Sequence, residues 1–487
     1  MFEKPFTLLD TNYSNLIPSL IIVVVIISGS LIISYFIIHA ELLIILLFLF
    51  ILPLFFIVRI EKLFICFIAL SFIPFEFTFG GVEGWEIKDF LIPIFLLLFV
   101  GRSVIKKEAL NRNPRFSFPL LLFLLIVLVH LITLEGLPKI IKTFLSFAIP
   151  AGGLRFFYSI LICSIVYYLI PFAFKKESHI ELFLKLLGGA CIFLIIFSFI
   201  RIYLGIGTIF PNEAYSTIIH YVSIGESSVP RVGIMGVAGY FLFTISLIFV
   251  KSRSNILFLF LTIISIAAVV QSGGRAMFLG LVFATSLYLY LSGKKFKAAI
   301  LPVGLFLVLL FIGMNPKIIN RTPPILYRYL TIFSSENPSF NQDGNTRSAM
   351  VNMSWEIISK NPLWGARSVD SEWKYNRGTF DNVIRGSAHN AYLATAATFG
   401  LPALAIWLIV AVSYFKKIIY LYRKTNPASL LNNFCLFLAV LLGVLFLTFF
   451  LEGGAGGGFK YFMYLGLIDS AWNMFKKNQT QMINHIN

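Results

Sequence analysis

Three side chains in this sequence are of the types, and in the settings, that could handle a phosphorylated substrate. His389 lies in Ser387-Ala-His389-Asn390-Ala-Tyr392-Leu393, where the longest polar stretch of the chain re-enters an apolar run. An imidazole with an ordinary pKa near 6.5 can take a proton from a hydroxyl as that hydroxyl attacks. The same residue could equally help to end a loop, with Ser387 or Asn390 as the helix-capping side chain. Arg275 follows two glycines in Ser272-Gly-Gly-Arg275-Ala276 and opens an apolar run, and Arg231 opens another in Pro230-Arg231-Val-Gly233-Ile-Met-Gly236. Paired glycines let backbone amides approach an anion, and a helix start favours negative charge. Two such arginines can clamp a pyrophosphate through paired hydrogen bonds. Each could also snorkel to lipid headgroups. Arg347, Arg367 and Arg385 are further cations in the same polar stretch, and Asn390 and Tyr392 adjoin His389, so these five are candidate substrate contacts.

Other chemistries lack their residues. The sequence shows no carboxylate pair suited to glycoside hydrolysis, no Asp-x-Asp for a metal-held nucleotide sugar, and no Gly-x-Ser-x-Gly or Cys/His pattern for acyl transfer. Asp343, in Asn341-Gln-Asp343-Gly344-Asn345, reads as a turn. The expectation is therefore no metal and no cofactor, with leaving-group charge met by arginine and lysine.

The elements that must position these residues are membrane helices. Hydrophobic residues make up 58% of the chain and charged residues 13%, with a mean hydropathy of +0.89. A soluble domain has about 45–50% apolar and about 25% charged residues. Apolar runs of membrane-spanning length recur from Leu16 onward, and because they are continuous rather than alternating they read as helices, not barrel strands. The spans fall near 16–38, 42–58, 63–79, 90–105, 118–134, 156–174, 181–204, 231–250, 256–271, 276–292, 298–313, 389–414, 430–450 and 459–475. The expected fold class is thus an all-α polytopic membrane protein with about 12–14 transmembrane helices and a large, partly helical periplasmic loop. Its parts are transmembrane helices over 1–313, the loop over 314–388 and C-terminal transmembrane helices over 389–487.

Charge orients these spans. The 39 lysines and arginines outnumber the 22 acids, a net charge of +17. The basic residues cluster in every second short loop, such as Lys175 and Lys176, Lys294, Lys295 and Lys297, and Lys416, Lys417, Arg423 and Lys424. That places those loops and both termini in the cytoplasm, with the lipid bilayer rather than nucleic acid as the charged partner. Leu16–Ile38 then reads as a retained first span. Cys66, Cys163, Cys191 and Cys435 sit inside apolar runs and read as small buried hydrophobes. The same parity puts the 314–388 loop, Arg231, Arg275 and His389 on the outer side. Within that loop, Thr346–Lys360 has helical spacing, with Met350, Met353 and Ile357 on one face. Asn361-Pro362-Leu-Trp364-Gly365 stops it.

Taken in order, Pro-Arg231-Val-Gly, Ser-Gly-Gly-Arg275-Ala, Asn345-Thr-Arg347 with Trp355, Asn-Pro362-Leu-Trp-Gly365, and His389-Asn390-x-Tyr-Leu with Gly400 resemble the bacterial O-antigen ligase/O-antigen polymerase superfamily. The motifs span Arg231 to Gly400, and the first 200 residues match only as a series of spans. The resemblance implies a metal-independent, inverting membrane glycosyltransferase of GT-C type in the bacterial inner membrane, with its active site on the periplasmic face. It implies a glycan donor on undecaprenyl pyrophosphate and an acceptor that is a glycan or lipid A–core. By the same resemblance Arg231 and Arg275 hold the donor pyrophosphate and His389 is the base, and a chain-length regulator or a flippase is a candidate partner. Where members often carry an acid just before the glycine, this chain has Thr398-Phe399-Gly400.

Polymerising surface-polysaccharide repeat units is the preferred activity, because the outer loop is large and polar enough to hold glycan on both sides of the reaction. The alternative is ligation of a finished O-antigen to lipid A–core. A lipid-linked oligosaccharide flippase or transporter is more distant, since ionisable residues deep in the spans are nearly absent from the sequence pattern.

Overall fold

The computed structural model describes residues 60–72, 87–106, 118–135, 153–203, 221–224, 227–230, 233–249, 255–272, 275–313, 351–365, 390–450 and 458–486. Its helices are α1 (Ile60–Ser71), α2 (Ile87–Lys106), α3 (Phe118–Glu135), α4 (Gly153–Ala173), α5 (Glu177–Tyr203), α6 (Gly233–Phe249), α7 (Asn255–Gln271), α8 (Arg275–Leu291) and α9 (Lys295–Gly313). They continue with α10 over 351–360, then α11 (Ala391–Phe399), α12 (Leu401–Lys424), α13 (Leu430–Thr448) and α14 (Gly458–Ile486). The architecture is all-helical apart from one short antiparallel hairpin, β1 (Tyr221–Ile224) with β2 (Ser227–Pro230), in which Tyr221 pairs with Pro230. The spans expected at 16–38 and 42–58 lie outside the described residues.

Among the described residues, Glu177–Ile200, Leu401–Lys424 and Leu430–Thr448 are long and apolar enough to cross a membrane, and six shorter apolar helices accompany them. The helices are apolar on both faces. In α3, Leu120, Phe123 and Val127 are buried at helical spacing, while Leu121, Leu125 and Leu128 are exposed on the other side. Ile256, Leu259, Phe260 and Ile263 of α7 and Ile300, Val303 and Leu307 of α9 form similar exposed apolar stripes. A soluble protein rarely shows such stripes, and in a bilayer they are the lipid-facing side.

The chain divides into two compact units. Unit 1 holds α1, α5, α6 and α7 with the first turns of α8, and unit 2 holds α3, α9 to α14 and nearly all of α4. In unit 1, α6 packs against α5 on one side and α7 on the other. The close approach of α6 to α7 needs Gly239, because a Cβ there would lie 2.8 Å from the Ser265 carbonyl oxygen. Small residues at such contacts let membrane helices gain dispersion contacts along their backbones.

Unit 2 is built on α12, which packs against α3, α11, α13 and α14. The turn from α12 to α13 is closed by hydrogen bonds: Asn432 Nδ2 donates to the Tyr422 carbonyl (2.6 Å) and to Thr425 Oγ1 (2.9 Å), and Ser429 caps α13 by accepting from Asn432 N. Gly466 lets α14 press onto α4, since a Cβ there would lie 3.0 Å from the Tyr167 carbonyl oxygen. One turn along the same helix, Asp469 accepts hydrogen bonds from Tyr167 Oη (2.5 Å) and Tyr414 Oη (2.9 Å) and pairs with Lys417 Nζ. Lys417 also lies over the rings of Tyr414 and Trp472, each 5.3 Å away.

This cluster corrects one expectation: Lys417 belongs to α12 rather than to a loop, and it pairs there with Asp469 of α14. The carboxylate is only 6% exposed, so its two hydroxyl donors and the ammonium are what offset its dehydration. Asp469→Ala would strand Lys417 and remove the acceptor shared by two tyrosines. We expect a loss of about 3 kcal/mol, the low end for breaking a buried pair because the lysine keeps some solvent. The check is the thermal transition of the detergent-solubilised protein; an unshifted transition would show that the cluster bears no load.

Candidate functional site

The two arginine-bearing segments meet within unit 1. Gly236 lies five residues after Arg231, in the first turn of α6, and Ser272 lies three residues before Arg275, at the end of α7. A Cβ on Gly236 would fall 2.5 Å from Ser272 Oγ and 3.7 Å from Met277 Cγ, so the starts of α6 and α8 and the end of α7 converge on one spot. Ser272 is buried and continues the α7 backbone pattern, with its amide donating to the Ala268 carbonyl (3.0 Å) and its hydroxyl to that of Val269 (2.7 Å). Arg275 is the first residue of α8, at the positive end of the helix dipole. Arg231 lies outside the described residues. Helix starts aimed to one place concentrate unpaired amides there, the arrangement in which an anion binds.

Of the other predicted residues, His389, Arg347, Arg367 and Arg385 lie outside the described residues. Asn390 and Tyr392 are described. Asn390 caps α11: its side-chain oxygen accepts from the amides of Tyr392 and Leu393, both at 3.0 Å. The amide of Ala391 donates to the Phe449 carbonyl (2.9 Å), and Tyr392 Oη donates to the Phe446 carbonyl (2.7 Å). Those carbonyls belong to the last turn of α13, which has no intrahelical donors left. The Tyr392 ring packs against Trp407, Phe449 and Phe450. The residues directly after His389 therefore cap two helices at once.

The span expected at 389–414 is broken. Gly400 separates α11 from α12, with φ 86° and ψ 168°, a region only glycine enters readily. Its amide still donates to the Ala396 carbonyl (2.9 Å), but the next amide, Leu401 N, turns out to donate to the Pro362 carbonyl (2.8 Å). Pro402 follows inside the first turn of α12, where a missing N–H costs nothing.

Helix α10 is the segment expected over Thr346–Lys360, seen here from 351. Ile357 and Ile358 are buried against Ala396 and Ala397 of α11, with Met353, Leu393 and Leu404 beside them. So its apolar face seats on protein, while Trp355, Leu363 and Trp364 remain exposed at 56%, 65% and 52%. On the solvent side, Lys360 pairs with Glu356 at 2.8 Å and holds that carboxyl below its ordinary pKa.

This region has a relative. A family model for O-antigen ligase matches residues 260–408. The match runs from α7 through the start of α8 and α10 and α11 into α12, and it supports the O-antigen ligase/polymerase superfamily for this chain. A search of curated proteins found no match. Arg275, His389, Asn390, Tyr392 and the glycines at 365 and 400 all fall within the O-antigen ligase match, and Arg231 precedes it.

Sequence reasoning missed the polar ends of α13. Nothing in Phe446-Leu-Thr-Phe449 announces that its carbonyls receive Tyr392 and Ala391. Tyr392→Phe tests which role matters. We expect a loss of about 1 kcal/mol from the missing hydrogen bond and near-normal glycan transfer. Loss of transfer at normal stability would assign the hydroxyl to substrate instead.

Proposed function

We propose that the chain is an inner-membrane glycosyltransferase that moves a glycan from undecaprenyl pyrophosphate to a sugar hydroxyl, polymerising surface-polysaccharide repeat units. The observation that carries this is the O-antigen ligase match over 260–408, which includes Arg275 and His389. The convergence of the α6 and α8 starts at Gly236 and Ser272 supports it, because helix starts brought together leave unpaired backbone amides of the kind that hold a pyrophosphate.

In this reading the acceptor hydroxyl gives its proton to the His389 imidazole. Its oxygen bonds to the anomeric carbon of the donor as the bond from that carbon to the pyrophosphate oxygen breaks. The electron pair leaves with undecaprenyl pyrophosphate, whose charge Arg231 and Arg275 meet, and attack from the far face inverts the anomeric centre. Arg347, Arg367 and Arg385 are candidates for holding sugar, while Asn390 and Tyr392, expected in that role from the sequence, are occupied in capping α11 and α13. The site faces the periplasm and both termini face the cytoplasm, in keeping with the basic loops on alternate sides. A chain-length regulator or flippase would work beside it, and no nucleic acid or cofactor takes part.

The ligase reading has its own support in the description of the matching family. Deleting the gene and resolving surface glycans on a gel separates the two: a single repeat unit on the acceptor means polymerase, and a full-length glycan stranded on the carrier lipid means ligase. Arg275→Ala should lower transfer by about 10²–10³, the scale of removing one preorganised donor from a developing negative charge. His389→Ala should abolish it in an inserted, normally abundant protein. Normal glycan from that variant would sink the general-base role.

A further inference from the structure

Two of the sequence motifs, Asn361-Pro362-Leu-Trp-Gly365 and the glycine that follows His389-Asn390, lock into each other through their backbones. A Cβ on Gly400 would fall onto the Leu363 carbonyl and 2.9 Å from the Trp364 amide nitrogen. A Cβ on Gly365 would lie 2.6 Å from the Ala397 carbonyl oxygen and 2.7 Å from that of Thr398. Both glycines have positive φ, 65° and 86°. Each motif thus supplies the glycine that makes room for the other's main chain. The Leu401–Pro362 hydrogen bond and the packing of Ile357 and Ile358 on Ala396 and Ala397 close the joint.

We infer that this double-glycine joint is a positioning device for the His389 junction: Gly365 and Gly400 fix α11 from its C-terminal end, as Asn390, Ala391 and Tyr392 fix it from its N-terminal end. The inference rests on His389 being the base of the proposed reaction. Helix α11 is nine residues long and starts two residues after His389. Pinned at one end alone, it could pivot about the α13 contacts. Pinned at both, it holds the backbone leaving His389 in one direction.

The device concerns placement rather than chemistry, because neither glycine has a side chain to offer substrate. Misplacing a reacting group by about 1 Å can cost about 100-fold in rate. A loss of that order is expected from Gly400→Ala and from Gly365→Ala. Gly293→Ala is the control, since Gly293 also has positive φ (84°) but nothing lies within 4 Å of the added Cβ. Ile357→Ala is the milder second variant, loosening the same joint through a side chain outside the spans.

Two readouts are combined. One is glycan transfer in cells. The other is the labelling rate of Ser387→Cys with a membrane-impermeant maleimide, which requires no activity and has low background because the four native cysteines are buried. Gly400→Ala, Gly365→Ala and Ile357→Ala should each shift the labelling rate and lower transfer at normal abundance, with Ile357→Ala the weakest, while Gly293→Ala changes neither. Unchanged labelling in the three joint variants would overturn the proposal, as would normal transfer by Gly400→Ala protein whose labelling has shifted. A labelling shift together with normal transfer by His389→Ala would uphold the joint and remove the general-base reading alone.

Discussion

The hydrogen bond from the Leu401 amide to the Pro362 carbonyl is the contact on which the described part of the O-antigen ligase match depends. A helix broken at the start of a membrane crossing exposes donors that hydrocarbon cannot satisfy, and each costs several kcal/mol if left bare. Gly400 makes such a break. Pro402 removes one donor by chemistry, and Pro362 satisfies the one before it. The segment carrying Pro362 is therefore part of how α12 is allowed to begin.

The two units solve similar problems with different means. In unit 1 the helices are brought close by small residues, Gly236 on Ser272 and Gly239 on Ser265. In unit 2 the helices are tied by polar groups as well: Asp469 with Tyr167, Tyr414 and Lys417, and Asn432 with the end of α12. Asp469 and Asn432 both have identifiable partners, the condition under which a polar network rigidifies rather than weakens a core. The Asp469 cluster is a tie among three helices, and a charge tied by three neighbours has no need of a transported substrate to explain it.

The functional reading gains most from where glycines stand. Gly236, Gly365 and Gly400 each mark a place where a backbone or a serine comes too near for a side chain. Two of the three belong to motifs that also carry a candidate catalytic or binding residue nearby in sequence, His389 before Gly400 and Arg231 before Gly236. Close backbone contacts of this kind hold neighbouring segments in place at no cost in flexible side chains.

Composition and periodicity alone were enough to establish a helical membrane protein, and the spacing of Ile357 and Met353 with the Asn-Pro-Leu-Trp-Gly stop was enough to place α10. Those features are local, set by hydrophobicity, helical period and breakers acting within a few residues. The sequence also singled out Arg231, Arg275 and His389 by type and flanking residues. Only the tertiary structure decided that 389–414 is two helices, that Asn390 and Tyr392 cap α11 and α13, that Lys417 pairs with Asp469, and that a hairpin precedes α6. Each of these is a choice of partner made across distance in the chain, by a carbonyl, carboxylate or amide whose one-letter code is silent about what it will meet. A glycine can be read as permission for a close approach, but its neighbour is named only when the chain has folded.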